Sequence, residues 1–491
     1  MFDKIKSLGT DTAIYGVSTV VGRFLTFLLT PFYTNVLVPA ELGVVAYVYA
    51  ILAFLNIIYS YGMEAAFMRY TASLEIGTKK QNFSVPFLSL TVTSVLFTIL
   101  IWWQRDSLTA MGGIFSSTII TYSGWILLLD TLAIVPFASL RMERKARMFA
   151  ALKLFNIIST VSLTLVFLFH FRWGVEGIFL ANVISSAGTL LLLIPTIAGN
   201  FTIKWDTTLY KSLLRFSLPT VPAYIATIMI QVIDRPILQS LTDEATVGIY
   251  QAGYRLGIFM MLIVSMFDFA WRPFFLSNAN EPNAKQIFAR VLTYFILFTT
   301  GFFLVISFFI DDIVRLPIYH GRSIINPLYW GGLSIVPVVL LAYVFLGISN
   351  NFVAGIYIKK ETKKLPLITF VGAAVNIGAN YLLIPQMGIM GAAIATLLSY
   401  AIMAALLYFI VRKIYAIEYE WQRIAKISIA AAVVFLLYYF VKLDSFELLW
   451  KFGLLALFAA LMYAMKFFDP SEMSRLASVF SKPRNKNTSS L

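Results

Sequence analysis

The segment GVEGIFLA at residues 174–181 recurs as GIMGAAIA at residues 388–395. Each copy opens an apolar run long enough to cross a bilayer as a helix. A basic stretch and then an asparagine precede each copy, at Asn156 and Asn376. A weaker match aligns residues of the first two apolar runs with residues of the seventh and eighth at one constant shift: Pro31, Ala40 and Gly43 with Pro236, Ala245 and Gly248. Both halves run in the same direction, which predicts two six-helix lobes related by an axis along the membrane normal.

The composition around these segments is that of a membrane protein. Hydrophobic residues make up 59% of the chain and charged residues 13%, whereas a soluble domain has about 25% charged residues. The N-terminal apolar run is too long for a cleaved signal and contains Arg23, so we expect it to be the first permanent helix. The sequence predicts an all-α membrane protein of about fourteen transmembrane helices, at residues 14–37, 43–61, 84–103, 114–140, 149–170, 174–198, 217–241, 247–270, 289–310, 329–351, 366–385, 389–411, 424–441 and 446–466.

The repeat divides the predicted helices into three parts. Residues 1–200 form an N-lobe of helices 1–6, and residues 201–412 form a C-lobe of helices 7–12. Residues 413–491 contain helices 13 and 14, which have no counterpart in the repeat, and a polar cytoplasmic tail. In transporters with two related halves, the path for the substrate lies between them.

The distribution of Lys and Arg predicts the orientation. With the N-terminus inside, three of the 38 cationic residues lie deep within helices, and most of the others fall in inside segments or at the inner ends of helices. The outside segments and outer helix ends hold only Arg105, Arg172, Arg315, Arg322, Lys442 and Lys451. This bias predicts a multi-pass membrane protein with both termini in the cytoplasm, and we expect it in the bacterial inner membrane. It also explains most of the net charge of +14, so we expect no nucleic-acid partner.

The chain lacks the residues that several classes of chemistry need. The chain has no cysteine and only two histidines, His170 and His320, which excludes thiolate and histidine-rich metal sites. It also lacks a Walker A sequence and an HExxH motif. We therefore expect a transporter without covalent chemistry, resident metal or cofactor. A proton or sodium gradient is the candidate energy source.

Three arginines lie deep inside predicted helices: Arg23 on helix 1, Arg235 on helix 7 and Arg255 on helix 8. Charge within a bilayer is costly and indicates a functional site by default. Arginine stays protonated when desolvated and binds phosphate through paired hydrogen bonds. Arg23 lies about 13 Å from the inner edge, too deep for easy snorkelling. Around one cavity between the lobes, the three arginines would suit a pyrophosphate.

Other residues could serve the substrate near these arginines. Tyr250 and Tyr254 share a helical face and are candidates for stacking on sugar rings. Arg69, at the predicted cytoplasmic mouth, is a candidate for attracting an anionic headgroup, although positive-inside anchoring also explains it.

Two acidic residues lie deep in predicted helices. Asp130 falls within an apolar run, where it could carry a proton or pair with Arg23. Asp234 lies at nearly the depth of Arg255, so a structural ion pair between them is the alternative to a substrate-facing role for Arg255.

The opening stretch resembles a known family. YGVSTVVGRFLTFLLTPFYTN at residues 15–35 and LVPAELG at residues 37–43 are similar to the polysaccharide transporter family of O-antigen-type flippases. These belong to the multidrug/oligosaccharidyl-lipid/polysaccharide flippase superfamily, with lipid II flippases and multidrug and toxin extruders. The resemblance covers residues 8–412. It implies alternating access, a cationic central cavity, and an undecaprenyl-pyrophosphate-linked oligosaccharide as cargo, in lipopolysaccharide or other cell-surface polysaccharide biosynthesis. A polysaccharide polymerase or export machinery is then a candidate partner, beside membrane lipids.

The fourteen-helix count is more similar to the lipid II branch of that superfamily. That resemblance implies a sodium site at Asp234, Asn376, Asn380 and Thr396, with Asn380 departing from the acidic pattern. From the residues alone, Asn376 and Asn380 share a helical face, so interhelical hydrogen bonding is the alternative.

The competing functions are those of a lipid II flippase, a drug or metabolite exporter, and a membrane enzyme such as a polysaccharide polymerase or ligase. Three intramembrane arginines disfavour export of cationic drugs, and the short outer loops disfavour an enzyme.

Overall fold

A computed structural model describes residues 20–112, 116–319, 321–441 and 446–469. The predicted start of helix 1 and the polar tail lie outside these ranges. After a helical stretch at residues 20–27, the first half contains the helices α1 Leu29–Val36, α2 Pro39–Ser60, α3 Met63–Ser73, α4 Lys79–Trp103, α5 Arg105–Gly112, α6 Ser117–Met142, α7 Ala146–Leu165 and α8 Gly174–Asn200. A π-helical turn, Val166–His170, extends α7.

The second half contains α9 Thr207–Ser217, α10 Val221–Val232, α11 Asp234–Leu241, α12 Glu244–Leu256, α13 Ile258–Asn278, α14 Ala284–Arg315, α15 Val336–Ile358, α16 Leu365–Met387, α17 Ile389–Ile414, α18 Trp421–Phe440 and α19 Glu447–Ala464. Short 3-10 turns precede α10, α15 and α16. A small antiparallel ribbon, β1 Pro317–Tyr319 and β2 Arg322–Ser323, follows α14.

The helices confirm the predicted fold class. Thirteen helical segments in the described ranges are long and apolar enough to span a membrane. They match predicted helices 2–14, and residues 20–36 supply the described part of helix 1. The predicted and observed helices agree because a bilayer core requires about 20 apolar residues per helix, and runs of that length are visible in the sequence.

The described residues form two compact units. The first comprises Met1–Ser277 and Asp312–Tyr415 over its described part. It holds one buried cluster that includes Phe67, Phe83 and Leu213, and another that includes Ile230 and Tyr400.

The second unit comprises Asn278–Asp311 and Ala416–Leu491 over its described part. Within it, Arg290 pairs with Glu420 at 2.8 Å, and the buried Lys451 pairs with Glu447 at 2.6 Å. Most of α14 therefore belongs with α18 and α19. The lobe boundaries 1–200, 201–412 and 413–491 stay a prediction.

The sequence repeat reappears as repeated local geometry. Gly174 and Gly388 have φ angles of +54° and +55°, a left-handed conformation that favours glycine. One turn later, Gly177 and Gly391 lie where a Cβ atom would press on the preceding helix, at Phe167 and Leu383 respectively. The two copies therefore turn the chain sharply into α8 and α17 in the same way.

A break divides the predicted helix 8 next to the site. The helix α12 ends at Leu256, and α13 begins at Ile258. The intervening Gly257 lies against Val339 of α15, where a side chain would not fit. Arg255 therefore occupies the last turn of α12, immediately before the break.

Candidate functional site

A cavity of about 460 Å³ lies within the first unit and is lined by cationic and apolar side chains. The described residues around it are Gly22, Arg23, Thr26, Phe27, Phe149, Lys153, Ile157, Arg255 and Ile258. Three of them carry a positive charge, and none of these lining residues carries a carboxylate. The cavity is therefore built to accept an anion.

Arg23 comes from the helical stretch before α1, whose residues 22, 23, 26 and 27 present one face to the cavity. Its guanidinium donates a hydrogen bond to the hydroxyl of Ser265 on α13, at 2.9 Å. Over the described chain, no carboxylate pairs with it. The predicted alternative, an Arg23–Asp130 pair, does not form.

Arg255 is also free of any carboxylate among the described residues. Its guanidinium lies over the ring of Tyr33, 5.3 Å from the centroid. The Nη1 atom is buried and has no hydrogen-bond partner. The predicted alternative, an Asp234–Arg255 pair, does not form either. A buried donor without a partner is costly, so this nitrogen is available to an anionic ligand.

Lys153 is the third cation of the cavity, and sequence reasoning missed it. The predicted helix 149–170 contains it near the cytoplasmic end, where positive-inside anchoring explains a lysine. In the structure it lies within α7, on the face shared with Phe149 and Ile157. Its ammonium lies 4.3 Å from the ring centroid of Phe137. The spacing of residues 149, 153 and 157 is the signal that could have placed it on one helical face.

The structure places Arg235 in a buried ion pair and not among the cavity-lining residues. Arg235 is 6% exposed and Asp234 is 1% exposed, and their side chains pair at 2.6 Å. The Arg235 guanidinium also donates to Gln251 at 3.1 Å. Predicted to face the substrate cavity, Arg235 is instead neutralised by its neighbour in sequence, as buried charges usually are.

Tyr250 and Tyr254 surround this ion pair. The hydroxyl of the fully buried Tyr250 donates to the carboxylate of Asp234. The ring of Tyr254 lies 4.3 Å from the Arg235 guanidinium, and its hydroxyl accepts a hydrogen bond from Tyr343. The rings predicted to stack on sugars thus contact the ion pair and do not line the cavity.

We predict that Asp234→Asn destabilises the protein strongly. Removing one member of a buried pair leaves the other charge uncompensated, at a cost of about 3–5 kcal/mol. Thermal unfolding of the purified protein in detergent measures the effect. Asp268→Asn is the matched control, since Asp268 forms a pair with Arg272 that is partly exposed and is worth about 0–1 kcal/mol. Equal losses in the two variants would contradict a structural role for Asp234.

The predicted sodium ligands Asn376, Asn380 and Thr396 are buried and form local hydrogen bonds. Asn380 donates to the carbonyl and side-chain oxygens of Asn376 at 2.8 and 3.0 Å, and Thr396 donates to the carbonyl of Ala392. The described chain holds no cluster of three acidic, histidine or cysteine residues able to bind a metal. Buried Asn380 Oδ1 has no partner, so the sodium assignment stays a prediction.

Asp130 lies on α6 in a polar network. Its carboxylate accepts a hydrogen bond from Ser186 at 2.7 Å. Asn182 joins the network by donating to the hydroxyl of Tyr49 at 3.1 Å.

Arg69 lies apart from the cavity lining. It is exposed at the end of α3, and its guanidinium lies over the ring of Phe216, 4.6 Å from the centroid. A role in capturing the headgroup stays a prediction.

At the side predicted to face outward, α2 and α12 cross at contact distance. A Cβ atom at Gly43 would overlap the carbonyl oxygen of Glu244, and one at Gly248 would overlap that of Pro39. Gly43 and Gly248 are equivalent positions of the repeat, so the two halves meet through matching glycines. Only glycine permits such close backbone approach.

Two hydrogen bonds reinforce this crossing. The side chain of Asn35, at the end of α1, donates to the carbonyl of Ser323 at 3.0 Å. The buried hydroxyl of Tyr329 donates to the carbonyl of Leu37 at 2.9 Å. We call these two bonds and the Gly43–Gly248 crossing the outer latch. It joins the turn between α1 and α2 to the segment before α15.

Comparison with solved structures shows the fold. A structure described as the lipid II flippase MurJ in an inward closed conformation has a TM-score of 0.74 and 16% sequence identity, covering 92% of this chain and 99% of that chain. An inward-facing multidrug resistance MATE family transporter of the MOP superfamily has a TM-score of 0.64 and 15% identity, covering 80% of this chain and 94% of that chain. An outward-facing multidrug resistance MATE family transporter has a TM-score of 0.57 and 15% identity, covering 83% of this chain and 96% of that chain.

Sequence comparison gives the family. Curated protein sequences yield no match to this chain. A family model described as polysaccharide biosynthesis protein matches residues 8–279, the segment that carries Arg23, Lys153 and Arg255. This match spans more than half of the chain, and the family resemblance expected from the sequence is confirmed. The chain belongs to the polysaccharide biosynthesis protein family, built on the transporter fold that MurJ and MATE transporters share.

Proposed function

We propose that this protein is a flippase that moves an undecaprenyl-pyrophosphate-linked oligosaccharide from the cytoplasmic to the outer leaflet of the bacterial inner membrane. The observation that carries the proposal is the cavity that Arg23, Lys153 and Arg255 line without a carboxylate. The cargo would serve the biosynthesis of a cell-surface polysaccharide such as O-antigen. The family assignment supports this role.

The cavity addresses the main barrier to flipping. A pyrophosphate with polar sugars cannot enter hydrocarbon, because removing its solvation costs too much free energy. Arginines replace that solvation through charged, paired hydrogen bonds. The polyprenyl tail needs no such site, since it stays in lipid. No covalent step is required.

Alternating access accounts for the arrangement of the cavity and the outer latch. Arg23 and Lys153 lie toward the helix ends predicted to be cytoplasmic, and the latch lies at the opposite ends. The cavity then receives a headgroup from the inner leaflet while the latch is closed. Release requires the Gly43–Gly248 crossing to separate. The likeness to an inward closed flippase structure is consistent with this state.

Lipid II flipping is the second candidate function. Lipid II is also a polyprenyl-pyrophosphate glycan, so the same cavity would bind its headgroup, and the likeness to MurJ favours it. Export of cationic drugs is disfavoured, because three positive charges would repel such cargo.

Transport of fluorescent lipids in proteoliposomes tests the proposal. We expect the protein to move an undecaprenyl-pyrophosphate-linked oligosaccharide much faster than protein-free vesicles do. A parallel assay with fluorescent lipid II distinguishes the two flippase functions. A second parallel assay, with a cationic dye, tests drug export. Accumulation of the dye without lipid flipping would overturn the proposal.

A further inference from the structure

Helix 1 runs antiparallel to the broken helix that α12 and α13 form, and their side chains meet in a regular order. The contacts pair Arg23 with Ser265, Phe27 with Phe259, and Tyr33 with Arg255. Residue numbers rise along helix 1 as they fall along α13 and α12. We call this row of three contacts the seam. Both cavity arginines lie on it, one from each helix.

The two guanidinium groups lie at opposite ends of the seam. The Arg23 guanidinium donates to the Ser265 hydroxyl at 2.9 Å, whereas the Arg255 guanidinium lies over the Tyr33 ring, 5.3 Å from its centroid. Tyr33 follows Arg23 by ten residues, which corresponds to about 15 Å along a helix. One phosphate group therefore pairs with one guanidinium or with the other.

An aromatic pair lies between the two guanidinium groups. The rings of Phe27 and Phe259 meet edge to face, with 4.9 Å between their centroids. Phe27 also lines the cavity. A pyrophosphate that bridged both arginines would lie across these rings, and apolar surface does not replace the solvation of a charged group. The seam thus favours two separate anion positions over one shared clamp.

Lys153 belongs to the same end of the cavity as Arg23. A Cβ atom at Gly22 would lie 2.6 Å from the side chain of Ile157, so α7 passes helix 1 at this level. Lys153 precedes Ile157 by about one turn, on the side predicted to be cytoplasmic. Among the lining residues, the inner end of the cavity therefore holds Arg23 and Lys153, and the outer end holds Arg255.

We propose that the cavity contains two anion-binding sites in series, an inner site at Arg23 and Lys153 and an outer site at Arg255, which the pyrophosphate of the cargo occupies one after the other. The Phe27–Phe259 pair separates them. The inference rests on the proposed function and adds the route of the headgroup. The outer site is prepared for an anion, because the buried Nη1 atom of Arg255 has no hydrogen-bond partner.

Two sites in series suit transport in steps. The inner site receives the headgroup from the cytoplasmic leaflet. The outer site holds it at the end of the cavity nearer the outer latch, since Tyr33 and the latch residue Asn35 lie on the same short helix α1. Two weaker sites release the headgroup faster than one tight clamp would, because binding must be favourable enough for entry and weak enough for exit.

A double-mutant cycle tests the two sites. Affinity for undecaprenyl pyrophosphate is measured on the full chain in lipid nanodiscs, and the flipping rate is measured in proteoliposomes. We expect Arg23→Ala and Arg255→Ala each to weaken binding only slightly, because the other site remains, and the double variant to weaken it by about 10- to 150-fold. Each single variant should nevertheless flip at the rate of protein-free vesicles, since the headgroup must pass both sites.

The opposite pattern would show one clamp. If each single variant lost about 10- to 150-fold in affinity and the losses added up in the double variant, the two sites would be overturned and the flippase proposal would stand. Absence of binding by the wild-type protein would overturn both. Thermal unfolding of each variant checks that it is folded.

Two further variants complete the test. Arg272→Ala removes an exposed arginine of α13 that does not line the cavity, and it should leave affinity and flipping unchanged. Phe27→Ala removes one ring of the aromatic pair, so it should leave affinity unchanged and flip at least as fast as the wild-type protein. Slower flipping by Phe27→Ala would overturn the separating role of the aromatic pair.

Discussion

Replacing both Arg23 and Arg255 with alanine should abolish flipping of a pyrophosphate-linked glycan. Each guanidinium offers charged hydrogen bonds worth about 1.5–3 kcal/mol. Losing both costs about 3–6 kcal/mol, which lowers the rate by about 10²- to 10⁴-fold. The effect is large because neither arginine has a carboxylate partner in the described chain, so the charge of each is free to attract the ligand. The rate of appearance of a fluorescent glycolipid in the opposite leaflet of proteoliposomes measures it.

A matched control separates this effect from a general loss of positive charge. Arg105→Ala and Arg272→Ala remove two exposed arginines that do not line the cavity. This double variant should flip at nearly the wild-type rate. If it slows flipping as much as Arg23→Ala/Arg255→Ala, overall charge and not the cavity would govern transport. Folding is checked in parallel by the thermal unfolding of each variant.

Cross-linking the outer latch should stop transport reversibly. The chain contains no cysteine, so Asn35→Cys/Ser323→Cys introduces the only thiols. The Asn35 side chain reaches the backbone of Ser323 at 3.0 Å, within the span of a short bis-methanethiosulfonate reagent. Joined thiols would prevent the Gly43–Gly248 crossing from opening. We expect flipping to fall to the rate of protein-free vesicles and to recover after reduction.

Each single-cysteine variant, treated with the same reagent, controls for modification alone. Both should flip normally, because one modified thiol does not hold the crossing closed. Full activity of the cross-linked double variant would show that transport does not require the latch to open. Headgroup binding by the cross-linked protein should persist, since the cavity lies away from the latch.

Hydrophobic length made the helices predictable from the sequence. The structure reproduces predicted helices 2–14, because no other arrangement hides so much apolar chain from water. The glycines of the repeat were also informative, since Gly174 and Gly388 adopt matching left-handed conformations. The family prediction was correct for a related reason: the order of such motifs along the chain is specific even when each motif is loose.

The candidate site was predicted only in part. Arg23 and Arg255 stood out because charge inside an apolar run is unusual. Lys153 did not, because it falls near the inner end of the predicted helix 149–170, where a lysine is typical of positive-inside anchoring. The structure begins α7 at Ala146, two turns before Lys153. Arg235 looked like a cavity residue, but the adjacent Asp234 neutralises it. Their adjacency in sequence was visible, whereas the direction of each side chain depends on tertiary packing.

The grouping of the helices was less accessible to sequence reasoning. Most of α14 belongs to one compact unit with α18 and α19, although these helices are far apart in sequence. The ion pair of Arg290 with Glu420 is one of the contacts inside that unit. Local apolar patterns give the length of a helix but not its neighbours.

Equilibrium binding across a series of headgroup charges tests the central claim most directly. The series is undecaprenyl pyrophosphate, undecaprenyl phosphate and undecaprenol, which share one tail. We predict that affinity for the wild-type protein falls with each phosphate removed, and that Arg23→Ala/Arg255→Ala binds all three equally weakly. Equal affinity of the wild-type protein for the pyrophosphate and the uncharged alcohol would contradict an anion-binding cavity.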